Sequence, residues 1–269
     1  PEDKYVRVLT MDGKKPIRYK TLADLEQDAT SDLKLGRCFY QERIDETTRK
    51  ICVRTGAGDS PGEHTLVISQ NAGDETRDYA DNIALRFADT THVVVDGFEV
   101  RNSGGRGVAF WTGADHNLVT ACLLHANNGN VEVRGGTGNR VWRNDIHEWG
   151  TGDYPWRAFY DDRTEGTDGY DLVDLRGGIG HSVVGNDLHD GWDLVSAGFG
   201  WSEKGQGETD IFYNRLWNSS DDALELDGPG INVRVHGNRF RHVFSGVSMA
   251  PTAVGPTYVT RNTFTYDLI

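Results

Sequence analysis

The sequence predicts an all-β chain: a right-handed parallel β-helix of about 22–24 residues per coil behind a small N-terminal cap. Two observations predict it. One segment recurs in register seven times from His92 onward, and the composition is rich in glycine (33) and poor in proline (7). That glycine content is roughly 12% against a usual ~7%, with no collagen-like period, and suits many short strands joined by tight turns. The 28 Lys plus Arg face 41 Asp plus Glu, a net charge of -13. So acidic a balance argues against a nucleic-acid partner, which calls for a basic stripe. No apolar run approaches the ~18 residues of a membrane span.

The N-terminal cap, residues 1–90, differs from the rest, and six of the seven lysines fall in its first fifty positions. Leu22, Leu25, Ala29 and Leu33 have the spacing of a short helix within 21–35, with Thr21 as its N-cap. Strands follow near 37–43, 50–54 and 64–69. Folding the first two about Asp45 sets Cys38 opposite Cys52, as a disulfide or as two buried thiols.

Residues 91–269 form the β-helix. Aligning the recurring segment on the slot Phe98, Cys122, Asn144, Asn186, Asn214, Asn238 and Asn262 gives spacings of 24, 22, 42, 28, 24 and 24. Three residues before the slot stand Val95, Val119, Val141, Val183, Ile211, Val235 and Val259. Two after it stand Val100, Leu124, Ile146, Leu188, Leu216, Phe240 and Phe264. Every member is apolar, as a ladder of strands stacked about 4.8 Å apart requires. Asn suits the bend because it tolerates the left-handed conformation and can hydrogen-bond to its stacked neighbours. The long intervals hold aromatic-rich insertions at 151–167 and 198–209, placed to wall a binding face.

A second strand aligns in each coil. Val108, Val131, Tyr170, Trp192, Leu224 and Val247, then Phe110, Val133, Leu172, Leu194, Leu226 and Met249, are read as facing inward. The residue between them faces outward: Ala109, Glu132, Asp171, Asp193, Glu225 and Ser248. Four consecutive coils therefore stack carboxylates, with Asp227 and Arg134 beside them. Like charges this close repel by about 1 kcal/mol per pair in water, and more where water is excluded. A cation, shared protons or arginine partners would offset this. A preceding column reads Asp168, Asp190 and Asp222, with Asp221 adjacent; an Asp there also closes a turn by a local hydrogen bond.

The run Asn218-Ser-Ser-Asp-Asp-Ala-Leu-Glu-Leu-Asp-Gly-Pro-Gly-Ile-Asn-Val-Arg-Val-His-Gly-Asn238, followed by Gly246-Val-Ser-Met-Ala-Pro, resembles the right-handed β-helix carbohydrate-active enzymes. That superfamily spans pectate and alginate lyases, polygalacturonase-type hydrolases and mannuronan epimerases. The resemblance covers 92–269, and more weakly 37–70. It implies a polysaccharide substrate and, first, a calcium-assisted polysaccharide lyase cleaving a uronate-containing glycan by β-elimination. Glu132, Asp171, Asp193, Glu225 and Asp227 would then supply oxygen ligands to calcium, and Lys204 or Arg134 the base. The alternative is a glycoside hydrolase using Asp190, Asp221 and Asp222; Phe244-Ser245-Gly246 stands where that family has its Gly-His-Gly-like motif. The third reading is a glycan-binding or structural β-helix without catalysis. A secreted or periplasmic location fits the resemblance. The last coil ends at Ile269 without a polar cap, so a further C-terminal segment or another chain is expected to cover it.

Overall fold

The computed structural model describes residues 6–45, 48–56, 59–70, 82–148, 151–165, 171–198 and 206–266. From Leu85 onward the chain winds as a parallel solenoid with three sheet faces. The first face stacks Val94–Asp96, Leu118–Thr120, Arg140–Trp142, Ser182–Val184, Asp210–Phe212, Val233–His236 and Thr257–Thr260. The second stacks Glu99–Arg101, Leu123–His125, Asp145–His147 and Asp187–Gly191, then the first half of Arg215–Glu225. The third stacks Leu85–Phe87, Val108–Phe110, Val131–Thr137, Val173–Ile179 and Val195–Ala197, then the second half of Arg215–Glu225. Arg215–Glu225 and Arg239–Ser248 run round the corner and join these two faces.

Both apolar columns read from the slot alignment stack one residue per coil, Val95 through Val259 on the first face and Val100 through Phe264 on the second. As far as Val235 and Phe240 they join the inward residues of the third face in one continuous core, while Val259 and Phe264 are exposed. The bend between the first two faces is a shared device. Its left-handed residue is not the Asn but the one before it: Gly97, Ala121, Arg143, Gly185, Tyr213, Gly237 and Arg261 all have φ between 51° and 73°. The Asn acts through its side chain. In Asn144, Asn186, Asn214 and Asn238 the amide Nδ2 donates to the Oδ1 of the next coil's Asn at 3.0 Å. That same Oδ1 accepts the lower Asn's backbone N–H. The ladder thus satisfies the polar groups of a buried bend.

On the third face the register differs from the sequence reading in two coils. Val131 pairs Val173 and Glu132 pairs Asp174; Val173 pairs Val195 and Asp174 pairs Ser196; Ser196 pairs Glu225. The outward column is Ala109, Glu132, Asp174, Ser196, Glu225 and Ser248, and not one that includes Asp171 and Asp193. The segments 170–175 and 192–197 alternate apolar residues in two frames three apart, and the coil uses the later one. Leu172 and Leu194 still enter the core, at the corner. Trp192 packs instead against Ile17, Ala158 and Phe159, and Met249 is exposed.

In the cap, Val6–Met11 pairs antiparallel with Leu66–Gln70, and Arg37–Arg43 with Arg49–Thr55. The helix is Leu22–Gln27, with the Thr21 hydroxyl accepting from the Asp24 N–H, and it closes into a 3-10 turn at Asp28–Thr30. Cys52 pairs Tyr40 while Cys38 pairs Arg54, and all three cysteines are free thiols. The cause is the turn: the Thr48 N–H donates to Asp45 Oδ1 at 2.8 Å, which centres the loop one residue later and slides the register by two.

Candidate functional site

Two distinct groups of charges occupy the acidic side of the solenoid. The first is a corner. The N–H groups of Leu172 and Leu194 donate to the carbonyls of Asp193 and Asp222, so Asp171, Asp193 and Asp222 lie on successive coils just before the third face. Oxygens of Asp171, Asp193 and Glu225 lie within 4.8 Å of one another, and so do those of Asp193, Asp221 and Asp222. The Asp222 N–H donates to Asp193 Oδ1 at 2.9 Å.

Burial, and then the crowding of like charges, raises these five carboxyls. Burial pushes Asp171 well above the usual carboxylate range, with Asp174 and Glu225 adding to it. Burial does the same to Asp193, with Asp171 and Glu225 adding. Asp221 is pushed up to about 6, by burial and then by Asp222, although Trp156 and Tyr160 hydrogen-bond to its charged form. Glu225 is pushed up to about 7, by burial and then by Asp227 and Asp222. Asp222 rises too, chiefly by burial. The insertion supplies a neighbouring aromatic surface. Trp156 stacks on Phe244 with centroids 5.9 Å apart and on Tyr160 at 4.5 Å, and Tyr160 is 62% exposed.

The second group is internally paired around three fully buried charges, Arg106, Glu132 and Asp174. Arg134 Nε lies 3.0 Å from Glu132 Oε2, which also accepts from Trp111 Nε1 at 3.0 Å. Arg106, 1% exposed, reaches both Glu132 at 3.5 Å and Asp174 at 3.1 Å, and Arg176 meets Asp174 at 2.5 Å. Gly129 makes room for this guanidinium: it has φ +87°, and a Cβ there would stand 1.6 Å from Arg106 Nη1.

The sequence-predicted residues therefore separate. Asp171, Asp193, Glu225, Asp221 and Asp222 come together. Asp227 stands beside them, its Oδ1 accepting from the Ala250 N–H at 2.6 Å and from the Ser248 hydroxyl at 3.3 Å. Glu132 and Arg134 are paired to each other in the buried group. Asp190 lies on the second face, bonded to His189 and Asn218. Lys204 and Asp168 lie outside the described residues. Sequence reading missed Arg106 and Asp174, because the shifted frame put Asp171 in the place Asp174 occupies.

No protein-family model matches the chain, and neither does any curated protein. Solved structures do match. XylC in complex with xylose aligns over 96% of this chain and 45% of its own, at a TM-score of 0.51 and 12% identity. DFA-IIIase from Arthrobacter chlorophenolicus A6 in complex with DFA-III aligns over 71% of this chain and 43% of its own, at 0.50 and 15%. A pectate lyase aligns over 66% and 55%, at 0.42 and 14%. The fold is that of the right-handed parallel β-helices. The chain spans about half the length, or less, of these structures. No helix among the described residues is long and apolar enough to cross a membrane.

Proposed function

We propose that this chain is the β-helix of a polysaccharide-active enzyme that cleaves a uronate-containing glycan by calcium-assisted β-elimination. The observation that carries this reading is the corner itself, where five carboxyls converge and none can ionise freely beside the others. Oxygens bound to one calcium at about 2.3–2.6 Å can be at most about 5 Å apart, and Asp171, Asp193 and Glu225 meet that limit. When bound, the ion would neutralise a uronate carboxylate and acidify the proton α to it. The chain's own groups then orient the sugar: Trp156, Tyr160 and Phe244 offer exposed rings on which a pyranose face can stack. Arg134 is committed to Glu132, so Lys204 is the residue we assign as base. Export to the periplasm or beyond belongs to the same proposal.

A second reading is favoured by one observation. Asp221 near 6 and Glu225 near 7 are half-buried acids poised for proton donation, as a glycoside hydrolase needs. Asp193 has oxygens within 4.8 Å of Asp221 in one group and of Glu225 in another, which resembles the roughly 5–5.5 Å separation of retaining pairs more than the ~6.5–9.5 Å of inverting ones. The deciding assay incubates the protein with a panel of polyuronates, in calcium and then in EDTA, and follows ultraviolet absorbance from unsaturated uronate ends. A calcium-dependent rise, lost in Asp193→Asn, is the expected result. New reducing ends without that absorbance would overturn elimination in favour of hydrolysis. Silence in both would leave a glycan-binding β-helix.

A further inference from the structure

The second face carries a column of rings on the other side of the corner from the carboxylates. Arg101, His125, His147, His189, Trp217 and Arg241 stand in register, one per coil and outward, between core residues such as Leu124, Ile146 and Leu188. The rings stack with centroids 5.0 Å apart from His125 to His147, 4.8 Å from His147 to His189, and 4.2 Å from His189 to Trp217. Asp145, two residues before His147, reaches this column: its Oδ1 lies 3.1 Å from His189 Nε2. Asp145, His147 and His189 each present a ligand atom within 4.8 Å of the others.

Three details distinguish this cluster from an ordinary solvated face. The Nδ1 of His147 is buried and has no hydrogen-bond partner among the described residues. A buried ring nitrogen ordinarily finds a donor or an acceptor, whereas the His147 ring is not tied down through this atom by the protein's own groups among the described residues. The separation of His189 Nε2 from Asp145 Oδ1 is close to the edge of a small tetrahedron. Ligands about 2.0–2.1 Å from a tetrahedral ion stand about 3.3 Å apart, so an ion can replace the proton between them with little movement. Finally, the other nitrogen of His189, Nδ1, lies 2.6 Å from Asp190 Oδ2, and Asp190 is itself held by the Asn218 amide. A carboxylate behind a ligating imidazole fixes its orientation and raises its basicity.

We propose that Asp145, His147 and His189 form a binding site for a divalent transition ion of the zinc class, with Asp190 as the positioning residue for His189. Two imidazoles and one carboxylate select such an ion over calcium, which prefers an all-oxygen shell. The ion ties the coil of Asp145 and His147 to the coil of His189. Asp145, with a side chain 52% exposed, leaves that flank open for entry and for a water as fourth ligand. The site is separate from the carboxylate corner and does not depend on what that corner does.

The test uses the full chain, stripped with a chelator and titrated with zinc against a chromogenic competitor. One equivalent is expected to bind, and Asp145→Asn and His147→Gln should each weaken it by at least about tenfold, a loss that even outer-shell changes reach. Asp193→Asn, in the carboxylate corner, should leave it unchanged. Cobalt in place of zinc should give the intense visible spectrum of a tetrahedral site, lost in His147→Gln. Should His147→Gln fail to fold, Asp145→Asn carries the same comparison on an exposed side chain. Equal zinc affinity in wild type and Asp145→Asn would overturn the proposal, as would the pale spectrum of octahedral cobalt.

Discussion

His181 is 1% exposed and its two ring nitrogens are already assigned. Nδ1 accepts the Asn139 backbone N–H at 3.2 Å, so Nε2 carries the proton and donates to the Gly177 carbonyl at 3.0 Å. Protonating Nδ1 would set one donor against another. Burial lowers this histidine to about 4, with the Gly177 bond only partly offsetting it. The unfolded chain, with its ordinary value near 6.5, takes up the proton first as the pH falls. The contribution to stability is therefore complete above about pH 6.5 and is lost on descent to about 4, by roughly 3 kcal/mol in all. The raised carboxyls of the corner act in the opposite sense, so the informative quantity is a difference between proteins. Urea melts of wild type and His181→Gln across that window should diverge, the wild type losing up to roughly 3 kcal/mol relative to the variant as the pH falls from about 6.5 to about 4; parallel profiles would refute the assignment. Sequence reading passed over the histidine column for a simple reason. His125, His147 and His189 each directly follow a residue of an apolar column that was aligned, and spacing along one strand says nothing of ligands that meet across coils.

At the scale of the element, the bend between the first and second faces was legible because it makes the same demands in every coil. An apolar residue, a left-handed residue and another apolar residue recur in each coil, and from Asn144 onward the Asn ladder enforces the register. Asn214 shows what each rung contributes. Its Oδ1 takes two bonds from Asn186, and its Nδ2 donates to the Val183 carbonyl at 2.9 Å and to Asn238 at 3.0 Å. Asn214→Ala orphans several buried polar groups at once, each worth about 1–3 kcal/mol, so a loss of about 3 kcal/mol or more is expected in chemical denaturation. Asn262→Ala, at the last described rung, should cost distinctly less, since its side chain is only part-buried whereas Asn214 is fully buried. Equal losses would mean that the ladder is not the stabilising unit. The third face lacked such a marker. Tyr170-Asp171-Leu172-Val173-Asp174-Leu175 satisfies period-two alternation in either frame, and only the pairing of Val173 with Val131 decides between them. Asp171 and Asp193, which meet Glu225 at the corner, were therefore read into the outward column of the third face together with Glu132.

The whole molecule depends on how the cap is docked, because the insertion that bears Trp156 and Tyr160 is held between cap and solenoid. Ile17 packs with Ala158, Phe159 and Trp192; Tyr154 donates to the Arg37 carbonyl at 2.9 Å; Arg163 pairs with Asp32 at 2.8 Å. A further buried contact is polar. Lys15, 6% exposed, lies 3.3 Å from Glu148 Oε2 and donates to the Asn127 carbonyl at 3.1 Å. The other oxygen, Glu148 Oε1, accepts from the Asn127 N–H at 3.1 Å and from Asn130 Nδ2 at 2.8 Å. Burial raises the carboxyl of Glu148, and Lys15 is the largest influence working against that rise. Lys15→Met removes the cation and leaves a buried carboxylate uncompensated, an outcome worth about 3–5 kcal/mol against folding. Adding Glu148→Gln should recover most of that loss, since the amide oxygen keeps the Asn127 and Asn130 bonds while no charge remains to be compensated. Denaturation of the two single variants and the double one, read as a cycle, measures the pair directly. Limited proteolysis of the same set reports docking: Lys15→Met alone should expose the cap and the 151–165 insertion to cleavage. If Lys15→Met melted like wild type and resisted protease, the cap would be held by its apolar contacts alone, and the aromatic surface beside the corner would owe nothing to this ion pair.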